Sequence, residues 1–255
     1  MTSTQAHSAW LHTFSQRRVD SSITLVCFPY AGGSASVFRT WKPFIPDWLD
    51  FLAVQPPGRE SRFNEGVISD IDRYSELASL ALEQHALQRT LILFGHSLGA
   101  IAAFETALRL ERAGISPALV VVSGRQYPGA ASIRSASAHL PDDQFIASIA
   151  RLNSTAGNIL ENKDLLELLL PMLRADFTMS EHYQYDGVSR LNCPLLALGS
   201  SEDEWITRAS IEGWQAMTLQ QFDSAWFKGD HFYLNHHPQI LIDYLLGQIQ
   251  LIKRS

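Results

Sequence analysis

The run Leu91-Ile92-Leu93-Phe94-Gly95-His96-Ser97-Leu98-Gly99-Ala100 decides how the rest of the chain is read. Four apolar residues stop abruptly at a serine flanked by glycines two positions away on each side. A short continuous apolar run fits a parallel strand buried on both faces, and the spacing from Leu98 to Ala113 fits an amphipathic helix. Ser97 then sits on the turn between them, the G-x-S-x-G elbow that exposes a serine hydroxyl at the carboxyl end of a sheet. Side chains two residues to either side would collide with the adjoining strand and helix, which accounts for Gly95 and Gly99.

Working outward, Ile23 to Phe28 (ITLVCF) is the first strand the pattern supports, and it ends in Pro29-Tyr30-Ala31-Gly32-Gly33-Ser34. Ser34 or Ser36 is placed to cap the short helix that follows. Phe51 to Val54 is a second strand, stopped by the two prolines of Gln55-Pro56-Pro57-Gly58-Arg59-Glu60. Ser69 and Asp72 resemble a capping box for a helix over 70–87. Beyond the elbow helix, whose Glu105 and Arg109 form an i,i+4 pair assigned to solvent, Gly114 supplies a stop and Ala118 to Val122 another strand. Strands alternating with helices through connections too long for hairpins require parallel pairing and right-handed crossovers. The fold class is α/β, with a mostly parallel, doubly wound sheet.

The alternation breaks from about 129 to 187, where helices over Asp142 to Leu152 and Lys163 to Asp176 replace strands. An insertion after a sheet strand lies over the strands' carboxyl ends, where an α/β active site is built. It reads as a helical lid, and the nearly all-round apolar LLELLLPMLRADF suits a helix facing both a lid core and an acyl-binding cleft; a helical subdomain with no substrate contact is the alternative. Alternation resumes with Pro194 to Leu198, a helix near Thr207 to Met217, a strand over Phe222 to Phe227 and a closing helix over about 238–252.

A chain of 255 residues with 46% hydrophobic and 18% charged residues can bury one full core, and the expectation is a single domain over 1–255. No apolar run is long enough to cross a bilayer, and the first residues lack the apolar centre of a signal peptide, so the expected compartment is the cytoplasm. Cys27 and Cys193 fall in strand regions and are expected to be small buried thiols rather than a disulfide or metal site. Net charge is −6 without a Lys/Arg run, which argues against nucleic acid. An acidic partner would need a local basic patch; Arg59 and Arg62 are candidates for it, a solvated or salt-bridged state being the alternative.

A serine hydroxyl needs a base, and the base an orienting acid. Of nine histidines, only His231 directly follows a late sheet strand, whereas His236 and His237 begin the last helix and His96 points away from the serine on the turn. Glu202, Asp203, Glu204, Asp223 and Asp230 compete as the acid. Asp203 is favoured, because its shorter side chain can turn in towards the sheet ends while Glu202 and Glu204 face solvent. The oxyanion needs backbone donors: the Leu98 amide at a helix N-terminus, and, best placed in the loop after the first strand, the Ala31 amide beside Gly32 and Gly33.

FPYAGGS, QPPGRESRF, GHSLGA, LLELLLPMLRADF and GDHFYL, spread over about 25–234, together resemble the type II thioesterases, free-standing α/β-hydrolases associated with nonribosomal peptide and polyketide synthases. The resemblance places the nucleophile on Ser97, the acid on Asp203, the base on His231 and the oxyanion amides on Ala31 and Leu98. It implies hydrolysis of stalled or aberrant acyl groups from the phosphopantetheine arm of carrier proteins, with those carriers as transient partners. A monomer without cofactor or metal is expected. An acyl-CoA thioesterase or a small-molecule carboxylesterase with the same triad is the alternative. A hydrolase-fold scaffold with a dead site conflicts with an intact Ser, Asp and His in order.

Overall fold

The computed structural model of the chain describes residues 9–14, 22–86, 89–133, 135–152 and 163–254. Seven strands form one sheet: β1 (Leu11–Thr13), β2 (Ile23–Phe28), β3 (Leu49–Val54), β4 (Thr90–His96), β5 (Leu119–Ser123), β6 (Leu195–Ser200) and β7 (Phe222–Phe227). Their order is β1-β3-β2-β4-β5-β6-β7. Every pairing is parallel except that of β1 with β3. The doubly wound α/β fold expected from the alternation is therefore present, with an antiparallel edge strand that three residues, Leu11-His12-Thr13, were too few to announce.

The five inner strands are buried on both faces, which is why they are mostly apolar rather than alternating. On one face Val26, Phe28, Leu93, Val120 and Ala197 pack under α1 (Ile71–Ala86) and α2 (Leu98–Arg112). On the other, Leu25, Cys27, Ile92, Phe94, Val121 and Leu198 pack under a 3-10 helix over Ala35–Phe44 and the C-terminal helix Pro238–Arg254. Cys27 and Cys193 are buried as separate free thiols, and burial pushes both well above the ordinary thiol range.

Local details depart from the sequence reading in instructive ways. The first turn of α1 is capped by Asp70, whose Oδ1 accepts the Arg73 amide at 2.7 Å; Asp72 of the supposed capping box instead pairs with Arg109. Glu105 is half-buried and accepts the Tyr183 hydroxyl at 2.6 Å, so it and Arg109 do not form a solvent-facing pair. Burial accordingly raises the Glu105 carboxyl above its usual range. Ser34 starts the 3-10 helix without a side-chain cap, because its hydroxyl donates to Glu60 at 2.7 Å, as does that of Ser36.

Two helices of the insertion, α3 (Asp142–Leu152) and α4 (Lys163–Glu181), are built as expected, α4 running one turn further than the pattern suggested. Phe145 and Ile149 of α3 pack with Phe177 of α4 in a small core of their own. Residue 134 and residues 153–162, also assigned to the insertion, lie outside the described residues. Among the described residues, three further α-helices are short or terminal: α5 (Arg208–Glu212), α6 (Tyr233–His236) and α7 (Pro238–Arg254). Among the described residues no helix is long and apolar enough to cross a membrane.

Candidate active site

The chain runs from β2 outward to β3, then returns to place β4 on the other side of β2. Such a switch point splays the loops that leave the two strands and opens a crevice at their carboxyl ends. The loop after β2 carries Ala31, and the turn after β4 carries Ser97.

Ser97 has φ +56° and ψ −114°, a conformation that costs a non-glycine residue about 1–3 kcal/mol and persists only where its surroundings impose it. The surroundings are tight. A Cβ on Gly95 would lie 1.9 Å from the Gly99 carbonyl oxygen, and one on Gly99 would lie 2.1 Å from that of Phe28. The Ser97 amide is held by the Ser123 carbonyl at 2.8 Å.

His231 follows β7, and its Nδ1 lies 2.7 Å from Asp203 Oδ2. A carboxylate only accepts, so Nδ1 carries the proton and Nε2 presents a lone pair. The other Asp203 oxygen, Oδ1, accepts the Trp205 amide at 2.9 Å. The Asp203 side chain is wholly buried, while Glu202 and Glu204 are exposed. Asp230 is engaged elsewhere, accepting the Phe232 amide and pairing with His236, and Asp223 is exposed and accepts the Ser224 amide. Burial and partners thus separate five acids that sequence spacing left in competition.

Ser97 and His231 line one cavity of about 310 Å³, together with Ala31 and Gly32 on one wall and Ile149, Leu169, Met172, Leu173 and Phe177 of the inserted helices on another. The helices of the insertion therefore contact the cavity rather than standing apart from it. Leu98, the first residue of α2, offers its amide where a helix N-terminus favours negative charge. In the Ala31-Gly32-Gly33 loop, the Gly33 amide is bound to the Tyr30 carbonyl at 2.8 Å and the Gly32 amide to Asp176 at 2.7 Å. Among the described residues the Ala31 amide has no acceptor.

His96 is fully buried, with its Nδ1 2.8 Å from the Ser123 hydroxyl, which in turn lies 2.7 Å from the Tyr233 hydroxyl. Burial and the neighbouring His231 hold His96 well below the ordinary imidazole range, so it is a neutral packing partner, its ring 5.0 Å from that of His231. Gly124, with φ +59°, gives that ring its room: a Cβ there would sit 2.4 Å from His96 Cε1. A polar residue inside an otherwise apolar strand was the available signal for this network.

Arg59 and Arg62, considered above as a surface patch, are both buried. Arg59 pairs with Asp176 through both nitrogens, at 2.7 and 2.8 Å. Arg62 donates to the Gln55 carbonyl at 2.8 Å and pairs with Glu65. Burial disfavours the Arg59 cation, but Asp176 outweighs it and holds the guanidinium above its ordinary range.

With this geometry in view, residues 23–249 match the thioesterase domain family. The chain belongs to the thioesterase family. It is similar to the gramicidin S biosynthesis protein GrsT of Aneurinibacillus migulanus, at 33% identity over 91% of each chain. To the thioesterase PikA5 of Streptomyces venezuelae it is 37% identical over 89% of this chain and 80% of that one. Among solved structures it resembles the type II thioesterase BorB from the borrelidin biosynthetic cluster, with a TM-score of 0.85 and 32% identity over 94% of this chain and 97% of the other. The thioesterase is thus a hydrolase of the α/β-hydrolase fold, as its five sequence motifs suggested.

Proposed function

We propose that this thioesterase removes acyl groups from the phosphopantetheine arms of carrier proteins in a nonribosomal peptide or polyketide system, through an acyl-Ser97 intermediate. The observation that carries the reading is the His231–Asp203 bond of 2.7 Å, which leaves a basic Nε2 on a residue lining the same cavity as Ser97. The relatives named above support the pathway, since GrsT is named for gramicidin S biosynthesis and BorB for the borrelidin cluster.

In the reaction His231 Nε2 takes the Ser97 proton as Oγ bonds to the thioester carbonyl carbon. The carbonyl oxygen becomes an oxyanion held by the amides of Ala31 and Leu98, each such donor being worth roughly 10²–10³ in rate. The C–S bond then breaks, and the departing pantetheine thiolate receives the proton from His231. Water enters, gives a proton to Nε2 and attacks the acyl-serine carbonyl; collapse returns the proton to Ser97 Oγ and releases the acid. Asp203 stabilises the imidazolium without itself being protonated.

The test compares one acyl group on a carrier protein, on CoA and as a simple ester, with Ser97 occupancy read by intact mass after fluorophosphonate treatment. A single adduct on the wild type, absent from Ser97→Ala, and a higher kcat/KM on the carrier are expected. No adduct overturns the serine mechanism, and equal kcat/KM on CoA overturns the carrier assignment.

A further inference from the structure

Three of the five motifs converge on one loop. Ala31-Gly32-Gly33 is touched by the segment after β3 and by α4, elements far apart in sequence. From the segment after β3, Arg59 donates to the Gly33 carbonyl at 2.9 Å. Gln55 Oε1 accepts the Ala35 amide at 3.0 Å, and Glu60 accepts the Ser34 hydroxyl at 2.7 Å. From α4, Asp176 Oδ2 accepts the Gly32 amide at 2.7 Å, and Leu173 packs so closely that a Cβ on Gly32 would lie 2.7 Å from its Cδ2. Asp176 and Arg59 then close the ring between the two elements.

We infer that Asp176, locked by Arg59, is a positioning residue that sets the oxyanion loop: by engaging the Gly32 amide it orients the preceding Ala31 amide towards the carbonyl oxygen of the substrate. The inference rests on the triad and oxyanion assignment proposed above. Three physical points support it. The Gly32 amide is engaged by a carboxylate, a charge-assisted bond that fixes orientation better than a neutral one. Gly32 has φ +77°, a conformation that glycine takes readily, and the bond to Asp176 holds the orientation of its amide from outside the loop. A carboxylate this close to a developing oxyanion would oppose it, and the bidentate guanidinium on the side chain's two oxygens neutralises that charge. Asp176 is 2% exposed and Arg59 5%, so solvent does little to replace either partner.

The role predicts a specific kinetic pattern, because an amide aimed at the oxyanion acts in the transition state rather than in substrate binding. Asp176→Asn keeps an acceptor for Gly32 but loses the charge, and Arg59→Lys keeps the charge but loses the fork. Each is expected to lower kcat about 10–100-fold with KM within threefold, and to weaken a trifluoromethyl ketone, which forms a tetrahedral oxyanion on Ser97, by a similar factor. Arg174→Ala serves as the comparison. That residue ties α4 to the Ala138 and Leu140 carbonyls and to Asp142 without touching the oxyanion loop, and it is expected to leave kcat within threefold. Rates are divided by the sites titrated to completion with fluorophosphonate, so unfolded protein does not count. Wild-type kcat in Asp176→Asn overturns the inference, as does an equal loss in Arg174→Ala, which would make general support of the inserted helices the cause. A wild type that takes no fluorophosphonate at all overturns the underlying triad reading instead.

Discussion

Replacing Gly99 by alanine tests the packing of the elbow against the end of β2. The added Cβ would stand 2.1 Å from the Phe28 carbonyl oxygen and 2.7 Å from that of Pro29, whereas real Cβ atoms essentially never come within 3.0 Å of such a neighbour. Both neighbours are backbone, so no rotamer change relieves the contact, and α2 must separate from the end of β2 by about 0.9 Å. Overpacking costs about 1–3 kcal/mol, and the rigid contact puts this change near the upper figure. That is survivable for a domain with about 5–15 kcal/mol of stability. The catalytic consequence is larger in proportion. Phe28 and Pro29 lead directly into Tyr30 and Ala31, and a misplacement of about 1 Å costs roughly 100-fold in rate. Gly99→Ala is therefore expected to remain folded, with a lowered urea midpoint and kcat on an acyl thioester down about 100-fold. Gly247→Ala is its counterpart: the site lies in α7 with nothing within 4 Å of the new Cβ, and a gain of about 0.5–1 kcal/mol without change in kcat is expected. A Gly99→Ala enzyme with kcat within threefold of wild type would refute the claim that the elbow and the oxyanion loop are held by this contact.

Other expectations are shorter to state. Asp203→Asn removes the anion that stabilises the His231 imidazolium, and kcat should fall about 10³–10⁴-fold; a loss under tenfold would reassign the acid. His96 is held neutral, below its unfolded value near 6.5, so the unfolded chain binds a proton that the folded one refuses. Its contribution to stability is full above about pH 6.5 and is lost on acidification with a slope of up to ~1.4 kcal/mol per pH unit. His96→Gln should flatten that slope in urea titrations between pH 5 and 7, and an unchanged slope would count against a buried neutral His96. Cys27 and Cys193, buried and held as thiols, should resist a thiol-disulfide reagent in the native protein and react in denaturant; prompt native labelling would contradict their burial.

What was legible in the sequence was whatever a local rule carries. The elbow, the strands on either side of the crevice and His231 all follow from period, glycine placement and chain order. Asp203 needed only the argument that a shorter side chain turns inward, and its complete burial beside exposed Glu202 and Glu204 agrees with that. What was not legible was pairing at a distance. Arg59 and Arg62 were weighed as a basic patch or as solvated or salt-bridged; both are salt-bridged, Arg62 to the nearby Glu65, but nothing local shows that Asp176, 117 residues away, pairs with Arg59. Glu105 looked solvated because Tyr183 lies 78 residues downstream. For Glu105 the environment was misread, and for Arg59 the partner could not be named.

The same contrast explains where polar and strained residues collect. The inner strands of the sheet pack apolar side chains on both faces, so the sheet places the strand ends firmly but offers few donors of its own beyond its edge. At the β2–β4 switch point the loops must supply them; of the two non-glycine residues with positive φ among those described, Ser97 lies there and Glu60 lies in the segment after β3 that packs against the loop leaving β2. Glu60 is held by Ser34 and Ser36, and Ser97 by the glycine contacts on either side of it. Around the oxyanion loop the Gly32 and Gly33 amides, Gln55, Arg59 and Asp176 all have partners. Among the described residues, the Ala31 amide alone in that loop's Ala-Gly-Gly has no acceptor, and Ala31 lines the cavity. Ala31 is half-buried, and an oxyanion accepts from such a free donor more strongly than a neutral carbonyl does. With its neighbours satisfied, this amide is the free donor that the oxyanion role proposed above would use.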